Sequence, residues 1–84
     1  MYIENVKSFL HPGNGDTLKN KIRDIRKKMK LSQEDLAIRC GVTRQTINAI
    51  ENDKYDPTLT LAFKLSNQLK ITVDQLFTYK EDSK

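Results

Sequence analysis

The sequence predicts an all-α domain of five short helices, with a small terminal two-stranded β-hairpin as a possible addition. Three observations carry that expectation. Apolar residues recur at helical intervals from Ile22 to Phe77. A Ser or Thr stands at the head of four of the apolar runs, at Ser32, Thr43, Thr58 and Thr72, where an N-cap side chain belongs. The stretches between runs are short and carry turn residues, chiefly Gly41, Asn52-Asp53 and Asp56-Pro57.

Taken in order, residues 1–10 place Tyr2, Ile3, Val6, Phe9 and Leu10 at helical spacing before Pro12, Gly13 and Gly15 break the chain. An isolated helix of that length is marginal in water, so this segment is expected either to dock or to fray. Ile22, Ile25 and Met29 form one apolar stripe, with Lys and Arg expected on the other faces. Ser32 followed by Gln33-Glu34-Asp35 reads as a capping box opening a second helix, whose inner face is Leu36, Ala37 and Cys40 and whose left-handed stop is Gly41. Thr43 caps a third helix with Ile47 and Ile50 inward, Val42 packing just before it, and Asn52-Asp53 ending it. Thr58 caps a fourth, with Leu59, Ala62, Leu65 and Leu69 inward and Leu61 and Phe63 flanking. Thr72 and Gln75 repeat the capping box for a short fifth helix carrying Val73, Leu76 and Phe77. Thr17–Asn20 and Phe77–Lys80 are the segments able to pair as strands. The expected organisation is an extension over 1–16, a domain over 17–80 and a loose charged tail over 81–84.

Composition limits what this chain can do. Its 84 residues suit one domain and leave no room for a second or for most deep-clefted enzyme scaffolds. Sixteen Leu and Ile supply a compact core despite 31% charged residues. No run of about 18 apolar residues exists to cross a membrane, and the opening MYIENVKSFLHPGNG makes a poor signal peptide. The single Cys40 forms no internal disulfide, so packing alone must hold the fold and a cytoplasmic setting is expected. Cys40 itself reads as a small core residue, since a redox switch requires an exposed, activated thiol. No nucleophile–histidine pairing, Gly-rich phosphate loop or metal cluster is present, and His11 lacks co-ligands. Glu34 and Asp35 are first-turn acids favoured by the helix dipole rather than a catalytic pair. The expectation is no enzyme, no metal and no cofactor.

The net charge of +4 is unevenly spread: residues 17–55 hold ten Lys or Arg against five acids, whereas residues 1–16 and 56–84 are near neutral. Lys19, Lys21, Lys27 and Lys28 are expected to contribute a long-range field rather than specific contacts. A solvated helical face would explain such a basic segment on its own, but the third helix is not an ordinary solvated face. With Ile47 and Ile50 inward, Arg44, Gln45 and Asn48 point away, with Thr43 at the leading edge. Arg donates two bonds to guanine, and Gln or Asn pairs bidentately with adenine, so these residue types suit the reading of base edges in a DNA major groove. Two helices joined at Gly41, the second bearing such side chains, have the form of a helix-turn-helix.

The string LSQEDLAIRCGVTRQTINAIENDKYDPTLTLAFKLS resembles the lambda-repressor-like, Cro-type (Xre-like) regulators, with LSQEDLA, GVTRQTI, IEN and P-T-L in the order and spacing of that family over about residues 20–78. Among them it is most similar to compact single-domain regulators of the cytolysin-repressor type, which have a small terminal β-hairpin and act as homodimers. The resemblance implies that Thr43, Arg44, Gln45 and Asn48 read bases. It implies phosphate contacts for Gln33 and Thr46, and for Asn52, Lys54 and Tyr55 in the loop after the recognition helix. Tyr55 packing on the fourth helix is an equal alternative. Asp53 departs from the family, which often has Gly there; it sets an acid near the phosphates, with Lys54 beside it as the expected compensation. Residues 1–16 have no counterpart in the compact members.

The function expected from these features is sequence-specific binding of double-stranded DNA by a homodimer acting as a repressor on a palindrome. Leu59, Leu61, Phe63, Phe77 and Tyr79 are the candidate dimer surface. A rival expectation is an antitoxin-type module that neutralises a partner protein through residues 1–16 and autoregulates its operon.

Overall fold

The computed structural model describes residues 17–80; the expectations for residues 1–16 and 81–84 lie outside the described residues. The chain runs β1 (Thr17–Asn20), α1 (Ile22–Lys28), α2 (Gln33–Cys40), α3 (Arg44–Glu51), α4 (Leu59–Leu69), α5 (Val73–Leu76) and β2 (Phe77–Lys80). The five helices and the two strands thus stand where the sequence placed them. β1 and β2 pair antiparallel, Thr17 opposite Lys80 and Asn20 opposite Phe77, and the Lys21 N–H donates to the Leu76 carbonyl at 3.0 Å to extend the clasp.

Helix starts follow the capping chemistry. Ser32 Oγ accepts from the Asp35 N–H at 2.9 Å while the Asp35 carboxylate accepts from the Ser32 N–H at 3.0 Å, a complete capping box. Hydrogen bonding to the carboxylate from the Ser32 backbone N–H, and after it from the Ser32 side chain, holds the Asp35 carboxyl below its usual range. Thr43 and Thr58 cap α3 and α4 through the N–H groups of Thr46 and Leu61. Thr72 sits in the N-cap position of α5, but its hydroxyl makes no cap bond, so the second expected capping box is absent. α5 is a single turn, and the Gln75 N–H goes to the Thr72 backbone carbonyl at 3.1 Å. α1 starts differently: the Asn20 side-chain oxygen accepts from the Ile22 N–H at 3.1 Å, taking the place of a cap at Lys21.

The helix ends share one device. Lys30, Gly41, Asp53 and Lys70 all adopt positive φ, between 59° and 71°. Each donates its N–H three residues back, and the following residue donates five residues back, the Schellman arrangement that satisfies the last carbonyls. After α1, α2 and α4 that following residue is Leu31, Val42 or Ile71, each packed against the core. After α3 it is Lys54, which is exposed.

The core comprises Ile22, Leu36, Ala37, Cys40, Ile47, Ile50, Leu61, Ala62, Leu65, Leu69, Leu76 and Phe77. Cys40 belongs to it as expected, and burial pushes its thiol up despite the charge of Lys64. Two expectations for α4 are corrected. Leu61 is buried, whereas Leu59 is 71% exposed. With Leu61, Leu65 and Leu69 defining the inward stripe, a residue two positions away lies about 200° around the helix, so Leu59 and Phe63 share the outward face. Phe77 is also in the core, so neither Leu61 nor Phe77 is available as a dimer surface. The basic side of α1 holds a third correction: Arg26 is buried, not solvated.

A Cβ on Gly41 would meet nothing within 4 Å, so only its φ of 71° demands glycine. Gly41→Ala is expected to cost about 1–2 kcal/mol, the penalty of a side chain in the left-handed region. Lys70→Gly should be stabilising by up to about 1 kcal/mol for the converse reason. Urea unfolding of both variants checks the pair of opposite signs.

Candidate nucleic-acid interface

The connection from α2 to α3 fixes the orientation of the third helix. Gly41 turns the chain, Val42 packs down, and Thr43 restarts the helix with its hydroxyl accepting from the Thr46 N–H at 3.2 Å. Thr46 Oγ1 lies 3.0 Å from Thr43 Oγ1, so these two hydroxyls are bound to each other. Ile47 and Ile50 are then fully buried, which fixes the rotation of α3 about its own axis. The same rotation leaves Thr43, Arg44, Gln45 and Asn48 exposed together on the opposite face. Arg44 and Gln45 make no side-chain hydrogen bond or ion pair among the described residues. They are free donors and acceptors on a rigid helix.

At the other end of α3, Glu51 is buried and ionised. Arg26 grips it with two bonds, Nε to Oε2 at 2.7 Å and Nη2 to Oε1 at 3.1 Å, and the remaining Arg26 nitrogen donates to the Leu31 carbonyl at 2.9 Å. Arg23 Nε and Gln33 Nε2 also donate to Glu51 Oε1, at 3.3 and 3.0 Å. Burial alone would push the Glu51 carboxyl up. The hydrogen bonds from Arg26 and Gln33 and the charges of Arg26 and Arg23 outweigh it, and the net effect is downward.

The network continues outward. Gln33 Nε2 donates a second bond to Asn48 Oδ1 at 3.1 Å, and Asn52 Nδ2 donates to the Asn48 backbone carbonyl at 2.9 Å and to Asn48 Oδ1 at 3.2 Å. Arg23 Nη2 donates to Asn52 Oδ1 at 2.9 Å. The side chains of Gln33 and Asn52, both expected on phosphates, therefore have their amide hydrogens on internal acceptors. Lys54 and Tyr55 lie in the loop after α3 with exposed side chains, Tyr55 by 46%. Asp53 is compensated from β1 rather than by Lys54: Lys19 Nζ pairs with its carboxylate at 3.1 Å, and Asn20 Nδ2 reaches it at 3.4 Å. Asn20 also donates to the Ile50 carbonyl at 2.9 Å, satisfying the C-terminal turn of α3. Lys19 thus makes a contact, where only a long-range field was expected.

Sequence reasoning missed Arg23, Arg26, Glu51 and Asn20 as organisers of this face. A signal existed for two of them. Arg26 lies four residues after Ile22 and Glu51 four after Ile47, so opposite charges occupy inward positions of two helices.

The comparisons with known proteins agree with this geometry. A family model described as helix-turn-helix matches residues 22–76. An uncharacterized HTH-type transcriptional regulator of Methanocaldococcus jannaschii is 48% identical over 65 residues, covering 77% of this chain and 98% of that protein. Another from Bacillus subtilis is 38% identical over 66 residues, covering 79% and 100%. Among solved structures, the P22 c2 repressor in complex with a synthetic operator superposes with a TM-score of 0.63 at 31% identity, covering 64% of this chain and 82% of that one. The restriction-modification controller protein C.AhdI from Aeromonas hydrophila gives 0.62 at 29% identity, covering 66% and 83%. The chain belongs to the helix-turn-helix family, and within it to the DNA-binding transcriptional regulators of lambda-repressor-like fold rather than to any enzyme class.

Glu51→Gln is expected to destabilise the domain by about 3–5 kcal/mol, because it leaves the Arg26 guanidinium buried without its counter-charge. The downward displacement of Glu51 sets a sign for pH. Its stabilisation is complete above the ordinary carboxylate range of the unfolded chain and is lost as pH falls through the lower folded value. Unfolding curves from pH 7 to pH 3 should show that acid-side loss in the parent chain and a smaller one in Glu51→Gln.

Proposed function

We propose that the protein is a sequence-specific repressor that binds a palindromic operator as a homodimer, with α3 in the major groove. The observation that carries this reading is the pairing of a fully buried inward face on α3 with free Arg44 and Gln45 side chains opposite. The core fixes the backbone that carries these groups, and among the described residues they have no partner. Thr43, Arg44, Gln45 and Asn48 form the base-reading set.

Phosphate contacts come from the rim of that face. Lys54 is its strongest member: it follows the left-handed residue after α3, where the other caps have a packed Leu, Val or Ile. Tyr55 follows it, and Thr46 contributes its hydroxyl. Gln33 acts through its backbone N–H in the first turn of α2, a natural phosphate donor, because its side chain is engaged internally. Asn52 supports the reading face from behind in the same way. One such domain reads only a few base pairs; two, held about 34 Å apart, read a palindrome in successive major grooves. The dimer surface is assigned to Leu59, Phe63 and Tyr79, which are the exposed members of the apolar set. The P22 c2 repressor was crystallised with operator DNA, and SinR, 28% identical at a TM-score of 0.59, was crystallised with DNA, which supports the same mode here.

Selection of bound duplexes from a random pool should recover an inverted repeat. Arg44→Ala or Gln45→Ala should each weaken that site by about 1–3 kcal/mol and relax one base position. An unchanged selected motif in both variants counts against the assignment. Lys54→Ala should weaken all duplexes alike and flatten the salt dependence by about one unit. Sedimentation at micromolar concentration should give a dimer, and a strict monomer even on DNA would overturn the symmetric model.

A further inference from the structure

The amide orientations across the α2–α3 face are fixed by the two ends of one hydrogen-bond chain. At one end stands Glu51, a buried carboxylate that accepts only; at the other stands Arg23, a guanidinium that donates only. Gln33 must therefore turn its NH2 toward Glu51, and the same nitrogen then donates to Asn48 Oδ1. Asn52 must turn its oxygen toward Arg23, which aims its NH2 at the backbone carbonyl and Oδ1 of Asn48. Neither amide can be flipped without setting two donors or two acceptors face to face. Both lone-pair positions of Asn48 Oδ1 are thereby filled, by Gln33 and by Asn52, while Asn48 Nδ2 has no partner among the described residues.

A bidentate bond to adenine requires an Asn that offers its oxygen to N6 and its nitrogen to N7. Asn48 has no oxygen to offer. We infer that Asn48 reads the operator as a donor only, selecting a base edge that presents acceptors, with guanine N7 and O6 the best match and thymine O4 the next, and disfavouring adenine. The inference rests on the placement of α3 in the major groove proposed above. Adenine offers the Asn48 NH2 a single acceptor beside its own amino group, and cytosine presents only its amino donor. Gln33 and Asn52 are positioning residues in this scheme: they set which end of Asn48 faces outward without touching the base.

Asn48→Asp gives a test that preserves shape. Its carboxylate still accepts from Gln33 and Asn52, but the outward group becomes an oxygen. Random-pool selection with the parent chain should yield one column per half-site holding guanine or thymine. That column should flatten in Asn48→Ala by roughly threefold to tenfold in base preference, the worth of one hydrogen bond. In Asn48→Asp it should move to the amino-bearing bases cytosine or adenine, with lower overall affinity. Gln33→Ala, which releases one lone pair of Oδ1, should admit adenine at the same column. Thermal unfolding of each variant verifies that the domain still folds, and should Asn48→Asp not fold, the Asn48→Ala and Gln33→Ala results decide. Adenine at the Asn48-dependent column of the parent, or a motif indifferent to Asn48→Ala, overturns the inference while leaving operator recognition intact. A parent chain that enriches no sequence at all instead brings down the proposed function, and this inference with it.

Discussion

The carboxylate of Glu51 is the junction on which the arrangement of α1, α2 and α3 depends. It sits at the last residue of α3, takes two bonds from Arg26 and one from Arg23 on α1, and one from Gln33 on α2. Three helices too short to be stable alone are thus oriented around one buried charge. Taking two ions out of water is costly, and such a pair contributes little net stability relative to a well-packed apolar substitute. What it supplies is direction. Burial of Ile47 and Ile50 sets which face of α3 turns inward, and the two-pronged guanidinium–carboxylate contact adds a directional constraint to that rotation.

That junction also organises the polar surface above it. From Glu51 the chain of amides passes through Gln33 to Asn48, and from Arg23 through Asn52 to the same residue. The face of α3 is therefore divided. Arg44 and Gln45 are held only through their backbone and keep their rotamer freedom. Asn48 is held by its side chain, and Asn48 and the buried Glu51 are linked through a single intervening side chain. The basic character of residues 17–55 adds a field that attracts any duplex and chooses none.

Much of this was legible in the sequence because it follows from local rules. The capping box at Ser32, the left-handed stop at Gly41 and the inward Ile47 and Ile50 all depend on neighbours a few residues away, whereas the pairing of Thr17–Asn20 with Phe77–Lys80 is long-range and was legible as a candidate through the family resemblance. The misses are of two kinds. Leu59 and Leu61 were exchanged because a Leu-rich stretch fits two helical registers two positions apart, and only packing against α2 and α1 decides between them. Arg26 and Glu51 were missed because their partnership spans 25 residues of chain, and a charge inside a helix is ordinarily read as solvated. Lys30 and Lys70 took the left-handed positions that glycine would have announced.

The cap of α3, alone among the four, has no apolar plug beneath it. Its terminal turn is secured from outside, by Asn20 on the Ile50 carbonyl and Lys19 on Asp53. Those two residues belong to the strand through which residues 1–16 join the domain. A pull on that junction would load the C-terminal turn of α3 directly through these polar contacts, as well as the core through Leu18. β1 and the C-terminal turn of α3 are mechanically coupled.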